Sequence, residues 1–331
     1  IKTMCTGLTL KTKDEYTLFG RNMDLAYQFN QSVIITPRNF KYIDEFDGKE
    51  KQPKYASMGM ASIIDNFPCY ADGFNEKGVA CAGLNFPQMA YFESDIDDDK
   101  VNVSAHGFIF WVLSNFASVD EVKKATENLA IINHPLNENT PEATLHWMVT
   151  DTTGKSIVIE NTKDGLKVFD NPLGVLTNSP SFDWHLMNLN DYLSIKPTQP
   201  ENTNWLECEL KPMGVGMGTK GLPGGYSGVD RFIRIAYLKS QIDDPENLNI
   251  AISQFNRMLQ AVAMPVGAVI SEGSDDITIY TSCMILQKHE YIYTTYNNLT
   301  PHVISMDNED LDGCEIKKFE YIDELKMEYQ N

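Results

Sequence analysis

The sequence predicts an α+β protein built from two antiparallel sheets with helices on their outer faces. Three observations predict it. Short β-type segments fall into two blocks with helical pattern between them. There is no regular βαβα alternation, which disfavours a doubly wound parallel sheet. The 331 residues are 42 % hydrophobic and 22 % charged, the balance of a globular protein with a sizeable core. Length allows one large domain or two ordinary ones, but no convincing linker, repeat or low-complexity tract divides the chain. A single domain over residues 5–331 is expected.

The elements follow in order. "TGLTL", "YTLFGR", "SVIITPR", "YASMGMAS" and "GVACAGLNF" read as strands, separated by turn signals such as "DNFP" and "NEKG". Ser104 is placed to cap a helix over "AHGFIFWVLSNFA". Ser118 with Glu121 forms a capping box ahead of "VDEVKKATENLA". "LHWMVTD", "SIVIE", "LKVF" and "GVLTN" return to strand pattern, and "DWHLMNLNDYL" to helix. A long polar, Gly-rich stretch then runs from about Ser194 to Gly228. Two helices are expected at "VDRFIRIAYLKSQI" and "NLNIAISQFNRMLQAVAM". The C-terminal part reads as strands: "ITIYTSCMIL", "YIYTTYNN", "HVISM" and "EIKKFEYI".

Charge and composition exclude several functions. The formal net charge of −19 argues against a nucleic-acid surface, which needs clustered Lys and Arg. It also repels anionic substrates at long range, so an anion site must be built locally from a few arginines. No apolar run reaches the roughly 18 residues of a membrane helix, and no signal peptide is read at the start. The six cysteines (Cys5, Cys69, Cys81, Cys208, Cys283 and Cys314) show no CxxC and no metal-finger spacing. Reduced thiols in a cytoplasm fit better than a disulfide framework.

Candidate chemistry has to be picked out by context. In "GVGMGTKGLPGG" Lys220 is followed by Gly221, not by the Ser or Thr of a P-loop, so a mobile or assembly loop is the better reading. The six histidines include no HExxH and no pair at metal-ligand spacing, and no metal or other cofactor is expected. A cysteine–histidine pair using His146 or His185 stays open, although "TLHWMV" reads more simply as a buried strand with a satisfied histidine. Cys5 is different. A thiol attacks as thiolate and needs a base. Were residues 1–4 removed, the free α-amino group of Cys5 would be that base, with an ordinary pKa near 8. Other polar residues stand at strand ends or a helix start: Arg21 and Asp24 in "LFGRNMD", after a strand that could pair with that of Cys5, Asn85 in "GLNFP", Asn178 in "GVLTNSP" and Arg231 in "DRFIR".

"MCTGLTL", "LFGRNMD", "ADGFNEKG", "AGLNFP", "LHWMVTD", "SIVIE", "VFDNPLGVLTNSPSFDWH", "GLPGG", "RFIR" and "YTSCM" occur in order from Met4 to about residue 320. Together they resemble the choloylglycine hydrolase family, whose members include bile salt hydrolases and penicillin V acylases. The resemblance implies an N-terminal nucleophile hydrolase with a four-layer αββα sandwich. It implies Cys5 as nucleophile, with its own α-amine as base. It also implies Asp24 holding the amine, Arg21 favouring the thiolate, Asn178 and Asn85 as oxyanion positions, and Arg231 completing the polar network. "LNFP" at Asn85 resembles the bile salt hydrolases, whereas penicillin V acylases more often carry a tyrosine there. Glycine- or taurine-conjugated bile salts are the implied substrates, penicillin V the alternative. Met23, Tyr27, Ile64, Phe67 and Leu136 match pocket positions. The stretch 188–224 matches a segment that clasps neighbouring subunits, which implies a homotetramer in a bacterial cytoplasm.

Two departures from the family stand out. "IKTM" precedes Cys5, either as a pro-segment or with Ile1–Thr3 as an expression remnant. While it remains, Cys5 has no free amine and the chain is an inactive, at most bile-salt-binding, precursor. The loop "GLPGGYSGVDR" carries Gly225 and Asp230 where family members usually have Asp and a Ser or Ala, so Asp230 is expected to disturb the pairing of Arg231.

Overall fold

The computed structural model describes residues 4–135, 137 and 143–331. Two adjacent strands show why the architecture is layered. β1 (Met4–Lys11) is buried except at its ends, and β2 (Thr17–Leu25) is buried along all nine residues. An antiparallel sheet with one wet face alternates in burial; strands buried throughout have both faces covered.

The other strands of the two large sheets, in chain order, are β3 (Ser32–Thr36), β4 (Ser57–Ile64), β5 (Phe67–Asn75), β6 (Ala80–Asn85), β7 (Leu145–Thr150), β8 (Ser156–Thr162), β9 (Gly165–Asp170), β10 (Val175–Leu176), β11 (Ile277–Ile285), β12 (Glu290–Thr295), β13 (His302–Ser305) and β14 (Lys317–Lys318). They form a six-stranded sheet in the order β10-β1-β2-β11-β12-β13 and an eight-stranded sheet in the order β9-β8-β7-β6-β5-β4-β3-β14. Both are antiparallel throughout. Helices α1 (Phe108–Asn115) and α2 (Val119–Ala125) lie against the eight-stranded sheet. Helix α3 (Phe182–Asn188) follows β10, and α4 (Gly228–Ser240) and α5 (Leu248–Gln260) cover the six-stranded sheet. The result is the expected four-layer αββα sandwich. One apolar cluster, including Phe19, Met58, Phe74, Met148, Phe232 and Phe255, spans the inter-sheet layer and the undersides of α4 and α5. A second, including Phe108, Leu113, Val122 and Trp147, fills the layer beneath α1 and α2.

Register sets the site. In the β1–β2 hairpin Cys5 stands opposite Met23, and Met4 opposite Asp24. β2 then pairs with β11, where Thr278 faces Asp24 but Tyr280 faces Met23, so Ile279 is an extra residue. Gly20 permits this close pairing: a Cβ there would stand 2.0 Å from the carbonyl oxygen of Ser282.

Several local expectations change. Ser104 ends a strand, Val101–Ser104, rather than a loop, and α1 starts later, with Gly107 at its N-cap position. The Ser104 hydroxyl instead accepts from the Gly107 N–H at 2.9 Å. Ser118 caps α2 as expected, while the Glu121 carboxylate reaches the N–H of Ala117 at 2.8 Å, one residue beyond the usual capping-box partner. β5 was masked in the sequence by its turn-like residues "ADG". The C-terminal "EIKKFEYI" contributes only β14. The Gly-rich stretch holds a small hairpin, Thr203–Trp205 with Cys208–Leu210, and a 3₁₀ turn at Met217–Thr219.

Candidate active site

The site lies where β1, β2, β6 and the turn after β10 meet the start of α4. Alternation along β1 and β2 sorts its groups onto two faces. Cys5, Arg21 and Met23 point between the sheets; Thr6, Asn22 and Asp24 point toward α4 and α5. All are buried. Burying this many polar groups is unfavourable unless each is partnered.

The partners are specific. The main-chain N–H of Cys5 donates to Oδ1 of Asn178 at 3.0 Å. That oxygen also accepts from Arg231 at 2.6 Å, which fixes the orientation of the carboxamide. Nδ2 of Asn178 donates to the carbonyl of Asn85 at 2.7 Å. Arg231 further donates to the Cys5 carbonyl and to the Thr6 hydroxyl, each at 2.6 Å, and to the Tyr226 carbonyl at 2.9 Å. The Asn85 main-chain N–H donates to the Cys5 sulfur. Its side-chain oxygen is engaged elsewhere, accepting from Thr144 at 2.7 Å. Asn85 therefore faces the thiol with its backbone.

Arg21 has no carboxylate within ion-pair distance among the described residues. Its guanidinium donates to the carbonyls of Gly83 at 2.5 Å, Ala71 at 3.2 Å and Asn22 at 3.3 Å, and to the sulfur of Met23 at 3.4 Å. These neutral acceptors hold the side chain in place but leave its charge to act on its surroundings. Burial pushes the Cys5 thiol up, and Arg21 is the strongest influence in the opposite direction. Asp24 is pushed up to about 6 by burial, opposed by Arg231 and by the Thr278 hydroxyl. Its Oδ1 accepts from Thr278 at 2.5 Å. Its Oδ2 is buried without a hydrogen bond, 3.9 Å from Arg231.

The histidines stand apart from the thiol. His146 lies between Glu160 and the Thr177 carbonyl, at 3.0 Å from each, and stacks on Phe86. His185 bonds the Asn178 carbonyl at 2.8 Å, and burial pushes it down to about 4, so it is neutral at ordinary pH. Both rings brace the turn that carries Asn178, and neither is paired with a cysteine.

Of the pocket candidates, Met23 is directly opposite Cys5. Tyr27 is partly exposed, and its phenol is pushed up first by burial and then by the neighbouring Cys5 sulfur. Ile64 and Phe67 close the β4–β5 hairpin, and the Phe67 ring packs edge-on against Tyr42 and Phe110 in the outer layer. Leu136 lies outside the described residues, as do Ile1–Thr3. The two departures face each other, Gly225 in the loop before α4 and Asp230 in its first turn. A Cβ on Gly225 would stand 2.2 Å from the Asp230 carboxylate, so a side chain at 225 would oblige that carboxylate to shift. Asp230 makes no ion pair with Arg231 within 4.0 Å; Asp24 is the carboxylate that Arg231 meets.

Sequence reading missed Thr278 and a buried cluster around Asp72. Tyr280 and Tyr291 each donate to Asp72 at 2.6 Å, bridging the two sheets beside Arg21. Thr278 carries no signal, since threonine is ordinary in a strand. Nor does Asp72, because "ADG" reads as a turn, where aspartate is ordinary.

The fold is that of the N-terminal nucleophile hydrolases, with a buried thiol on the first strand. Residues 5–319 match the model of the linear amide C–N hydrolases, choloylglycine hydrolase family. The chain belongs to that family. It is 47 % identical to a bile salt hydrolase/transferase of Clostridium perfringens, over 99 % of this chain and 100 % of the relative. It superposes on a variant of the conjugated bile acid hydrolase from Clostridium perfringens with a TM-score of 0.94 and 46 % identity, covering 99 % of this chain and 100 % of that one. A penicillin V acylase from Agrobacterium tumefaciens shares the fold, with a TM-score of 0.74 at 24 % identity over 95 % of this chain and 90 % of that one.

Proposed function

We propose that this chain hydrolyses the amide bond of glycine- or taurine-conjugated bile salts through an acyl-thioester on Cys5. The observation that carries the reading is the setting of Cys5: an N–H from Asn85 on its sulfur, Asn178 on its nitrogen, and Asp24 paired opposite Met4, the residue before it. Cleavage of the Met4–Cys5 bond frees the α-amine. The amine takes the thiol proton as sulfur attacks the substrate carbonyl, then passes it to the departing amine of glycine or taurine. Water cleaves the thioester with the same amine as base. The Asn85 N–H and Asn178 Nδ2 are the donors offered to the oxyanion, each worth about 3 kcal/mol in such reactions. Arg21 favours the thiolate, and Arg231 locks Asn178.

Bile salts are preferred over penicillin V because Asn85 stands where the acylases more often have tyrosine, and because a bile salt hydrolase is nearly half identical over the full chain. Residues 188–224 serve assembly in this reading, as a homotetramer. Trp205, Leu206, Met213 and Val215 are all largely exposed there, an apolar surface suited to a second copy. Six thiols with no disulfide among them suit a reducing cytoplasm.

The test joins intact mass to kcat/KM on glycocholate and penicillin V. Protein whose mass begins at Cys5 is expected to prefer glycocholate, and protein retaining Ile1–Met4 to be inactive. A preference for penicillin V by the matured chain overturns the substrate, and turnover by the uncut chain overturns the mechanism.

A further inference from the structure

We propose that Thr278 is a positioning residue that keeps Asp24 ionised and turned toward the Cys5 nitrogen; this rests on the reading of Asp24 given above. The first observation is the direction of its proton. The Thr278 hydroxyl accepts from the Met264 N–H at 2.8 Å, and the Thr278 N–H donates to the Met264 carbonyl at 3.1 Å. With one lone pair so engaged, the hydroxyl donates its single proton to Oδ1 of Asp24 at 2.5 Å. A donated proton favours the carboxylate form. Oδ1 is thereby occupied, and Oδ2 is the oxygen left for the amine.

The second observation is the bulge. Asp24 and Met23 face opposite sides of β2, whereas residues 278 and 280 of a regular strand face the same side. The extra Ile279 reverses this, so Thr278 shares the face of Asp24 while Tyr280 turns between the sheets to Asp72. Thr281 then returns to the first face and donates to Asn22 at 2.7 Å. One inserted residue thus lets a single strand serve both the amine side and the thiol side.

The other groups acting on Asp24 are Arg231 from α4, Arg21 from β2 itself, and the like-charged Asp276 just before β11. Beyond Thr278 lies a cavity of about 420 Å³, walled by uncharged groups that include Thr281, Thr294, Thr295, Asn256 and Gln260. From that side only a hydroxyl acts on the carboxylate.

The experiment compares wild type, Thr278→Val and Thr278→Ser by two readouts. One is the titration of Asp24 followed by NMR of ¹³C-labelled aspartate, assigned with Asp24→Asn, which needs no turnover. The other is the pH profile of kcat/KM on glycocholate. Thr278→Val is expected to move the Asp24 titration and the acid limb of the profile to higher pH, by about 1 on the pH scale, with the rate recovering on the alkaline side. Thr278→Ser is expected to follow wild type. An unmoved titration in Thr278→Val, or a rate lowered equally at every pH, overturns the inference. Where Val is not recovered folded, Thr278→Ala takes its place; failure of both to fold beside a folded Thr278→Ser assigns the residue to folding and also overturns it. A wild type without cysteine-dependent turnover overturns the functional reading alone, and the NMR arm still decides Thr278.

Discussion

Two buried aspartates near Arg21 are held in opposite ways. Asp72, between the sheets, receives a tyrosine hydroxyl on each oxygen. Asp24, on the helix side of the six-stranded sheet, receives one hydroxyl and keeps a bare oxygen. Burial pushes both carboxyls up, and Arg21 opposes it at both. The difference lies in completeness. A carboxylate whose acceptors are filled by its own fold ties strands together. One that keeps a buried acceptor open carries a penalty that a further donor relieves, and the nitrogen of Cys5 lies close by, on the residue after the one paired with Asp24.

The sharpest way to break this comparison is to neutralise each in turn. Asp24→Asn in the matured chain is expected to lower kcat by about a thousandfold with little change in melting temperature, as for loss of an acid–base network. Asp72→Asn is expected to lower unfolding free energy by about 3 kcal/mol, because its amide nitrogen would face one of the two buried hydroxyl donors in place of an acceptor. Urea melts at constant slope beside steady-state kinetics give both numbers. A stable but inactive Asp72→Asn would place that residue with the chemistry. A gentler cut is Tyr291→Phe, which empties one oxygen of Asp72 and makes it resemble Asp24. The expected loss is about 2 kcal/mol with turnover retained.

The smallest expected effect is a slope. The Asp24 carboxyl is raised from an ordinary 3.8 to about 6, so the folded uncut chain binds that proton more tightly than the unfolded chain. Its contribution to stability is greatest below pH 3.8, falls as pH rises toward 6, and is level above. The chain beginning at Cys5 supplies an ammonium to the open oxygen, and that fall should shrink. Thermal melts of the two forms between pH 4 and 6 compare them; an equal slope would mean that Oδ2 does not meet the amine.

Much of the fold was legible because it rests on local pattern. Alternation and turn chemistry mark β1 through β4, and Ser118 caps its helix as its type suggests. β5 was not legible, since "ADG" reads as a turn until Asp72 is seen to have buried partners. The residues gathered at Cys5 were legible only as a family resemblance. Spacings of 16 residues to Arg21 and 226 to Arg231 contain no geometry of their own.

From the sequence alone came the α+β class, the two kinds of layer and the thiol behind a methionine, because periodicity, caps and residue type act within a few neighbours. Only the tertiary structure decided that the six-stranded sheet joins the first two strands to the last ones, and that Asn85 offers its backbone rather than its side chain. It also decided that one bulged residue turns Thr278 to Asp24. Each of these depends on register between strands far apart in the chain, and register is set by which faces can be buried together.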